Sequence, residues 1–210
     1  TAREDSLAAL LPIGLSMSFT NPFVALLNNA LYSGLAAMNE GSKVLLGFVV
    51  AAMMAIDMGG PFNKAAYLFG TSTLAAANIA AGGSDVMAAV MIGGMVPPIA
   101  IALATTFFKN RFTPEERKSG PVNYIMGLCF ITEGAIPFAA SDPLRVLPSC
   151  IVGSGVAGAL SMMFGCASPA PHGGLFVFPV MHNVLGYLVS LAAGSLVGMV
   201  LLAALKKKRS

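Results

Sequence analysis

The chain has 210 residues, of which 56% are hydrophobic and only 10% are charged, whereas about a quarter of the residues are charged in an average soluble domain. A mean hydropathy of +0.79 and 23 glycines fit tightly packed membrane helices, so the composition excludes a water-soluble globule. The net charge is +3, and its excess lies in the tail at residues 206–209. That placement is typical of a cytoplasmic end and excludes a nucleic-acid-binding face.

Apolar stretches follow one another along the whole chain. They are predicted at residues 7–38 (interrupted by Asn21-Pro22), 42–56, 65–81, 85–108, 122–140, 146–167 and 184–205. The second and third stretches are shorter than the roughly 20 residues that a spanning helix needs. Ser42 is a predicted N-cap, and Pro97-Pro98 should kink or locally unwind the helix that contains them. Gly194 and Gly198 form a GxxxG pair, which predicts close packing of the last helix against another.

Positive charge determines the predicted topology of the second half of the chain. Cations cluster in residues 109–118 and again in residues 206–209, and the positive-inside rule places both groups in the cytoplasm. An even number of crossings must connect them, but three apolar stretches lie between. Residues 122–140 carry an acid, a glycine and a proline near their centre, so we predict that they form a re-entrant hairpin. Beyond it, Asp142 and Arg145 are predicted to form a local ion pair that orients the hairpin's exit.

The short stretches at 42–56 and 65–81 flank a similar interruption at residues 57–64. Two short, Gly- and Pro-interrupted segments indicate a midplane binding site in transporters, so the two interruptions should face one cavity. The sequence therefore predicts an all-α, polytopic integral membrane protein with transmembrane helices and re-entrant hairpins, in which residues 1–210 form a single domain.

Glu133 lies in the middle of the predicted hairpin, and no Lys or Arg occurs between residues 119 and 144. A carboxylate in hydrocarbon is costly, so it must face a cavity, a partner or a polar ligand, or else be protonated. Ionisable residues inside membranes mark functional sites by default, and we predict such a role here. The structural alternative is a carboxylate that caps the hairpin tip by accepting hydrogen bonds from nearby backbone N–H groups. Both roles can hold together.

The segment Asp57–Lys64 combines an acid, a base and a carboxamide around a Gly-Gly-Pro bend. Its glycines permit the close backbone approach that a ligand-binding loop requires. Asn63 offers donors and an acceptor suited to sugar hydroxyls. Asp57 and Lys64 either contribute to this ligand site or neutralise each other across the bend.

Two histidines complete the candidates. His172 lies between prolines and a Gly-Gly pair, which favours a formed loop that presents its imidazole to a ligand; the alternative is an interfacial loop histidine. His182 is the weaker candidate of the two. Neither has a supporting Cys, Asp or Glu, so we expect no metal. The cysteines, which lie in apolar stretches without metal-like spacing and receive no role, are Cys129, Cys150 and Cys166.

Several motifs are absent from the sequence. It contains no nucleotide-binding glycine loop, no G-x-S-x-G, no H-E-x-x-H and no Cys-x-x-Cys. ATP-driven transport and zinc proteolysis by this chain alone therefore have no support. The residue patterns favour a transporter with a midplane site and leave its energy source open; one possibility is an ion-coupled secondary transporter that uses Glu133 or Asp57.

Three motifs resemble the fructose-type enzyme IIC, the membrane permease subunit of the bacterial phosphoenolpyruvate-dependent sugar phosphotransferase system. They are DMGGPFNKAAY at residues 57–67, ITEGAIPFAASDPLRVLPS at residues 131–149 and APHGG at residues 170–174. The likeness covers about residues 40–205, and the second motif is the most specific. Members of this family usually carry additional N-terminal helices, so we expect the domain to be N-terminally incomplete here.

The resemblance implies a homodimeric, multi-pass permease of the bacterial cytoplasmic (inner) membrane. It would bind fructose or a fructose-like sugar, carry it inward and present it for phosphorylation. The phosphoryl group would come from phosphoenolpyruvate through enzyme I, HPr, a IIA histidine and a IIB cysteine. None of the three cysteines here resembles the IIB phosphocysteine loop, so the chain would be the membrane component of a phosphotransferase without its phosphoryl donor group.

The resemblance also assigns residue roles. Glu133 matches the glutamate expected to contact the sugar hydroxyl that receives phosphate, which implies a catalytic role. The predicted substrate-binding residues are Asp57, Asn63, Lys64, Thr132, Glu133 and His172. No cofactor or metal is expected. The alternatives that remain are the ion-coupled transporter, a mannitol-like or other ketose substrate, and a truncated partner that only dimerises with a full-length relative.

Overall fold

A computed structural model of the chain describes residues 40–77 and 82–207 continuously, together with the single positions 22, 26 and 29. The apolar region predicted at residues 7–38 lies outside the continuous ranges. Within them the backbone forms α-helices and short 3₁₀ helices. The α-helices are α1 (Glu40–Ile56), α2 (Pro61–Ala76), α3 (Asp85–Phe107), α4 (Pro114–Ser119), α5 (Val122–Leu128), α6 (Ile136–Ser141), α7 (Pro143–Met163) and α8 (Val184–Leu205). The 3₁₀ helices are Lys109–Arg111, Thr132–Ala135 and Gly174–Val180.

Three of the described helices are long and apolar enough to cross a membrane. They are α3, α7 and α8, with 23, 21 and 22 residues. At about 1.5 Å per residue, each exceeds the roughly 30 Å of a hydrocarbon core. The predicted all-α, membrane-spanning architecture is therefore confirmed.

The structure corrects the predicted start of helix α1 and excludes one of the two effects predicted for the proline pair in helix α3. Helix α1 begins at Glu40, so Ser42 lies inside the helix and does not cap its start. Helix α3 continues through Pro97 and Pro98, so the local unwinding allowed by the sequence does not occur. Hydrogen bonds from neighbouring elements compensate for the two missing N–H donors of these prolines.

Helix α7 begins and ends earlier than the predicted residues 146–167. Pro143 occupies its first turn, where the missing N–H of proline costs nothing. At the other end, Gly165 adopts a φ of +63°, the left-handed conformation that terminates many helices. The predicted ion pair that precedes the helix is present, with Arg145 Nη1 3.0 Å from Asp142 Oδ2.

Helix α3 is the centre of the bundle. Its most apolar window is 89% buried inside the protein, whereas that of α8 is 44% buried. Large apolar side chains on the outer face of α8 remain exposed, as expected for a face that contacts lipid. They include Leu185, Val189, Leu196 and Val200.

Helices α7 and α8 pack closely because glycines line their contact. A Cβ atom added to Gly153 would lie 2.8 Å from the carbonyl oxygen of Gly194 and 3.0 Å from the Cα of Gly198. Side chains at these positions would force the helices apart. The predicted packing role of the GxxxG pair is confirmed.

Residues 122–141 form the predicted re-entrant hairpin. Helix α5 runs beside α3, from Gly120 next to Thr105 to Gly127 next to Met95 and Ile99. The chain then turns and returns through the Thr132–Ala135 helix and α6. At its exit, Ser141 Oγ donates to a carboxylate oxygen in α4 at 3.3 Å. Entry and exit therefore lie at the same end of the bundle, next to the loop at residues 108–121.

The end of α8 lies at this same end. Lys206 Nζ is 2.9 Å from Glu116 Oε1 and lies 4.4 Å above the ring centre of Phe112. The Arg111 guanidinium donates a hydrogen bond to the Lys206 carbonyl. The two cationic segments thus meet at one end of the bundle, which is the arrangement that the even number of crossings required.

Candidate functional site

The turn between α1 and α2 is held by the carboxylate of Asp57. Its oxygens accept hydrogen bonds from the backbone N–H groups of Phe62 at 2.7 Å and Asn63 at 2.9 Å. These donors belong to the first turn of α2, whose N-cap residue, Gly60, supplies no side-chain acceptor. The carboxylate of Asp57 therefore caps α2 and neutralises the positive end of its dipole.

Asn63 and Lys64 follow in the first turn of α2. The buried side chain of Asn63 donates from Nδ2 to the Met54 carbonyl at 2.7 Å, which connects the start of α2 to the end of α1. Lys64 is exposed. No ion pair joins it to Asp57, although both residues lie in the described part of the chain, so the alternative in which they neutralise each other is wrong.

Gly59 brings this turn into contact with the hairpin. Its φ is +111°, a conformation that favours glycine. A Cβ atom added to Gly59 would lie 3.2 Å from Oε1 of Glu133. The two interrupted segments, which are distant in the sequence, therefore meet at the Glu133 side chain, as expected for a midplane site.

The tip of the hairpin is a tight helix ending. The N–H of Ile131 bonds to the Met126 carbonyl at 2.8 Å, and the N–H of Phe130 bonds to the Gly127 carbonyl at 3.1 Å. This is the Schellman pattern, with Phe130 at φ +62° in the position that glycine usually occupies. A bulky residue adopts this conformation at a cost of roughly 1–2 kcal/mol, so the packing of its ring must hold it there.

Glu133 follows the tip in the 3₁₀ helix Thr132–Ala135, and its side chain is exposed. Within residues 40–77 and 82–207, no hydrogen bond or ion pair engages its carboxylate. The alternative in which Glu133 caps the hairpin tip through backbone N–H groups is therefore wrong. Its carboxylate lies beside the Gly59 backbone with its lone pairs available to a ligand.

Thr132 lies next to Glu133 but faces the protein. Its side chain is buried, and its hydroxyl donates to the Gly94 carbonyl in the middle of α3 at 2.9 Å. The hydroxyl proton is thus used within the protein.

The loop at residues 170–174 reaches the same place from the other end of the bundle. The His172 ring lies 4.9 Å from the Phe130 ring, and the Tyr67 ring lies 6.4 Å from Phe130. Gly174, at φ +54°, packs against the Leu128 carbonyl and the backbone of Phe130. Three separate segments of the sequence therefore converge around Phe130 and Glu133.

Tyr67 and Phe130 were not among the predicted site residues. Tyr67 is the last residue of the DMGGPFNKAAY motif, so its position in that motif was an available signal. Phe130 had no signal, because a phenylalanine in an apolar stretch is typical of core packing. Its role as the ring between His172 and Tyr67 depends on tertiary structure.

The remaining candidates lie elsewhere. The backbone of His182 pairs with Ala167 near the start of α3, and its Cβ packs against Gly82. The three cysteines are free thiols, and Cys150 and Cys166 are buried. Among the described residues, no group of three His, Cys, Asp or Glu side chains could hold a metal ion.

The converging segments offer a carboxylate, an imidazole and the half-buried ring and hydroxyl of a tyrosine, arranged around the buried ring of Phe130. An ionised carboxylate accepts strong hydrogen bonds from hydroxyl groups, and an imidazole can donate or accept. Aromatic faces suit the apolar C–H surface of a small polar molecule. The arrangement is therefore suited to a small ligand that carries several hydroxyl groups.

Comparison with known proteins finds one matching family and several similar relatives. Residues 2–153 match the family described as "Phosphotransferase system, EIIC". The chain is 48% identical to the fructose-specific EIIABC component of Bacillus subtilis, covering 92% of this chain and 30% of that protein. It is 48% identical to the fructose permease IIC component of Bacillus amyloliquefaciens, covering 92% of this chain and 62% of that protein.

A third relative is the fructose-specific EIIB'BC component of Escherichia coli, which is 45% identical over 96% of this chain and 36% of that protein. The chain thus spans less than two thirds of the length of these relatives. No solved structure gives a significant match. Together with the membrane helices and the converging segments, these matches show that the chain belongs to the EIIC family of the phosphotransferase system.

Proposed function

We propose that this chain is a sugar permease subunit that binds fructose, or a fructose-like sugar, beside Glu133 and presents it for phosphorylation. The observation that carries the proposal is the carboxylate of Glu133, which has no partner within the described protein and lies where three separate segments converge. Relatives whose names specify fructose support the choice of sugar.

Sugar binding follows from the groups at the site. Hydroxyls of the sugar donate to Glu133, and the imidazole of His172 completes the polar contacts. The half-buried ring of Tyr67 covers the apolar face of the sugar, while the buried ring of Phe130 packs between His172 and Tyr67. Asp57 and Asn63 support the site indirectly by holding the turn at Gly59, while Lys64 stays a predicted contact.

The chemistry requires one proton transfer. As the sugar hydroxyl attacks phosphorus, a new O–P bond forms, the S–P bond of a IIB phosphocysteine breaks and the cysteine leaves as a thiolate. The hydroxyl proton passes to Glu133 acting as general base. Phosphoryl transfer depends mainly on positioning and charge stabilisation, which a fixed carboxylate beside the acceptor supplies. The product is charged and cannot return through the membrane.

The proposal includes a location and partners. The cationic end of the bundle, with the loop 109–120 and the C-terminus, faces the cytoplasm of a bacterial inner membrane. IIB and IIA act there, supplied by HPr and enzyme I, either as separate chains or as parts outside these 210 residues. We further propose that the chain is one enzyme IIC-type domain that works as a homodimer.

The test is sugar phosphorylation by membranes supplemented with the soluble phosphotransferase proteins and phosphoenolpyruvate. Glu133→Gln should lower the rate by about 1,000-fold, the effect of removing a general base, while the protein still inserts. Glu115→Gln is the matched control, because Glu115 is an exposed acid on α4, outside the segments that converge at Glu133. Unchanged phosphorylation by Glu133→Gln would refute the proposed role.

The ion-coupled alternative requires a carboxylate that is free to bind a proton or a sodium ion. Of its two candidate carboxylates, Asp57 accepts two backbone hydrogen bonds, which leaves Glu133 as the one without a partner in the described ranges. Vesicles with an imposed proton or sodium gradient and no phosphoenolpyruvate separate the two functions. We expect no concentrative fructose uptake; uptake driven by the gradient would favour the ion-coupled transporter. Failure of the purified chain to bind any sugar would favour a partner that only dimerises.

A further inference from the structure

Two adjacent prolines leave two carbonyl oxygens of α3 without their helical partners. In an α-helix, the N–H of each residue bonds to the carbonyl four positions earlier. Pro97 and Pro98 have no N–H, so the carbonyls of Gly93 and Gly94 receive no such bond. These oxygens are buried at the centre of a membrane protein, where an unsatisfied carbonyl is costly.

Each of these oxygens is satisfied by a hydroxyl from a different element. Ser154 Oγ of α7 donates to the Gly93 carbonyl at 2.7 Å. Thr132 Oγ1 of the hairpin donates to the Gly94 carbonyl at 2.9 Å. Both hydroxyl residues are buried, at 0% and 4% exposure. The proline pair therefore creates two acceptors that bind helix α7 on one side and the hairpin tip on the other.

The absence of side chains at the glycines makes this approach possible. A Cβ atom added to Gly94 would lie 2.6 Å from Thr132 Oγ1 and would clash with the Phe130 ring. A Cβ atom added to Gly93 would lie 2.5 Å from the Cα of Ala51 in α1. The hairpin tip thus lies directly on the backbone of α3, the most buried of the three candidate spanning helices in the described residues.

We infer that Thr132 is a positioning residue, which fixes the direction of the Glu133 carboxylate by binding the hairpin tip to the Gly94 carbonyl freed by Pro98. Thr132 immediately precedes Glu133 and begins the same 3₁₀ helix. Its hydrogen bond fixes that helix against α3, and the fixed helix holds Glu133 beside Gly59. Thr132 acts through Glu133, in place of the direct sugar contact expected from the sequence. The inference rests on the proposed function of Glu133.

The test compares four variants in membranes supplied with the phosphotransferase proteins. Thr132→Val removes the hydroxyl at nearly constant shape and should lower kcat for sugar phosphorylation by roughly 100-fold, since a displaced catalytic group costs about this much, with a smaller change in KM. Thr132→Ser keeps the hydroxyl and should restore most of kcat. Ser154→Ala removes the neighbouring bond on the α7 side and should leave kcat of the folded protein unchanged.

The double variant Thr132→Val with Pro98→Ala distinguishes two roles of the Thr132 hydroxyl. One role is to hold the hairpin tip in position, and the other is only to supply a hydrogen bond to the Gly94 carbonyl. The alanine that replaces Pro98 supplies a backbone N–H to the Gly94 carbonyl, so the double variant should recover the thermal stability lost in Thr132→Val. This N–H does not restore the link to the hairpin, so kcat should stay low. Recovery of kcat in the double variant, or full activity of Thr132→Val, would overturn the inference.

The outcomes also distinguish this inference from the proposed function. If Glu133→Gln is inactive and Thr132→Val is fully active, only the positioning role fails. If Glu133→Gln is active, the proposed function fails and the positioning role fails with it. Thermal unfolding tests the hydrogen bond independently of the sugar chemistry, and an unchanged Tm of Thr132→Val would overturn it.

Discussion

The chain interrupts its apolar stretches twice with similar residues, but the two acids are used in different ways. In each interruption an acid precedes a proline by four positions, as Asp57 precedes Pro61 and Glu133 precedes Pro137, with glycine between them. Asp57 accepts two backbone hydrogen bonds at the start of α2. Glu133 accepts none from the described residues and lies beside the Gly59 backbone.

The difference follows from the helix that each proline begins. Pro61 is the first residue of a 16-residue helix, whose initial N–H groups lie within reach of the Asp57 carboxylate. Pro137 belongs to a six-residue helix that continues from a 3₁₀ helix already containing Glu133. An acid that lies in front of a helix caps it, whereas an acid inside the preceding turn stays available to a ligand.

The largest expected effect comes from comparing the neutral amides of these two acids in the phosphorylation assay. Since Asp57 caps α2, we expect it to act through the shape of the turn, so Asp57→Asn should retain phosphorylation within about 10-fold of wild type, whereas Glu133→Gln should lose about 1,000-fold. Equal losses in both variants, measured per amount of inserted protein, would break the distinction between a structural and a catalytic carboxylate.

A third acid, Glu116, extends the comparison to a carboxylate with both a hydrogen bond and an ion pair. It lies on α4, outside the membrane-spanning segments. Burial raises its pKa, but the hydrogen bond from Thr113 N–H and the ion pair with Lys206 outweigh burial and hold the pKa below its ordinary value. Glu116→Gln leaves Lys206 without its counter-ion. Since the pair is partly solvated, we expect a loss of about 2 kcal/mol in unfolding free energy at neutral pH, below the full value for a buried pair.

The sign of the pH dependence follows from the lowered pKa of Glu116. The stabilisation is fully present above the ordinary carboxyl pKa of the unfolded chain and is lost as pH falls through the lower pKa of the folded state. The Tm difference between wild type and Glu116→Gln should therefore shrink in acid. Glu115→Gln, on the same helix but exposed, should show no such difference, and a gap that stays constant down to about pH 3 would contradict the assignment.

Gly59→Ala tests the contact between the two interruptions. The new Cβ would lie 3.2 Å from Glu133 Oε1 in a backbone conformation that disfavours alanine. We expect phosphorylation to fall about 10-fold, together with a stability loss of roughly 1 kcal/mol. Gly165→Ala is the matched control, since its φ is +63° and no atom lies within 4 Å of its added Cβ. It should lose stability but not activity; equal activity losses would indicate a general effect of strain.

The smallest effect concerns the cap itself. Asp57→Ala removes the acceptor for the Phe62 and Asn63 N–H groups and should lower the unfolding free energy by about 1 kcal/mol. Asp57→Asn, which keeps an acceptor oxygen, should lose less. Thermal unfolding of the purified variants measures this, and an Asp57→Ala protein as stable as wild type would show that the cap contributes nothing.

Much of the fold was predictable because it depends on local apolar length and on charge placement. The span at 184–205 has the predicted boundaries, and the hairpin at 122–140 followed from counting crossings between cationic segments. The end of α7 was missed because Gly165, in the left-handed conformation, stops the helix inside a stretch that remains apolar. A hydropathy profile does not detect a helix end that lies inside an apolar stretch.

The site was predictable only in outline. The sequence indicated Glu133 as a carboxylate that needs a polar environment and His172 as an imidazole presented by a formed loop, and it indicated that two interruptions should meet. It could not show which hydrogen bonds the protein makes for itself, because these depend on contacts between distant segments. Thr132 with Gly94 and Asn63 with Met54 are two such bonds.

Fructose binding by the purified, detergent-solubilised chain tests the central claim most directly, because it needs no phosphoryl donor. Titration calorimetry should show saturable binding by wild type and by Asp57→Asn, and a loss of affinity of at least about 10-fold in Glu133→Gln at unchanged Tm. Binding of fructose by Glu133→Gln with the affinity of wild type would contradict the claim that this carboxylate holds the sugar.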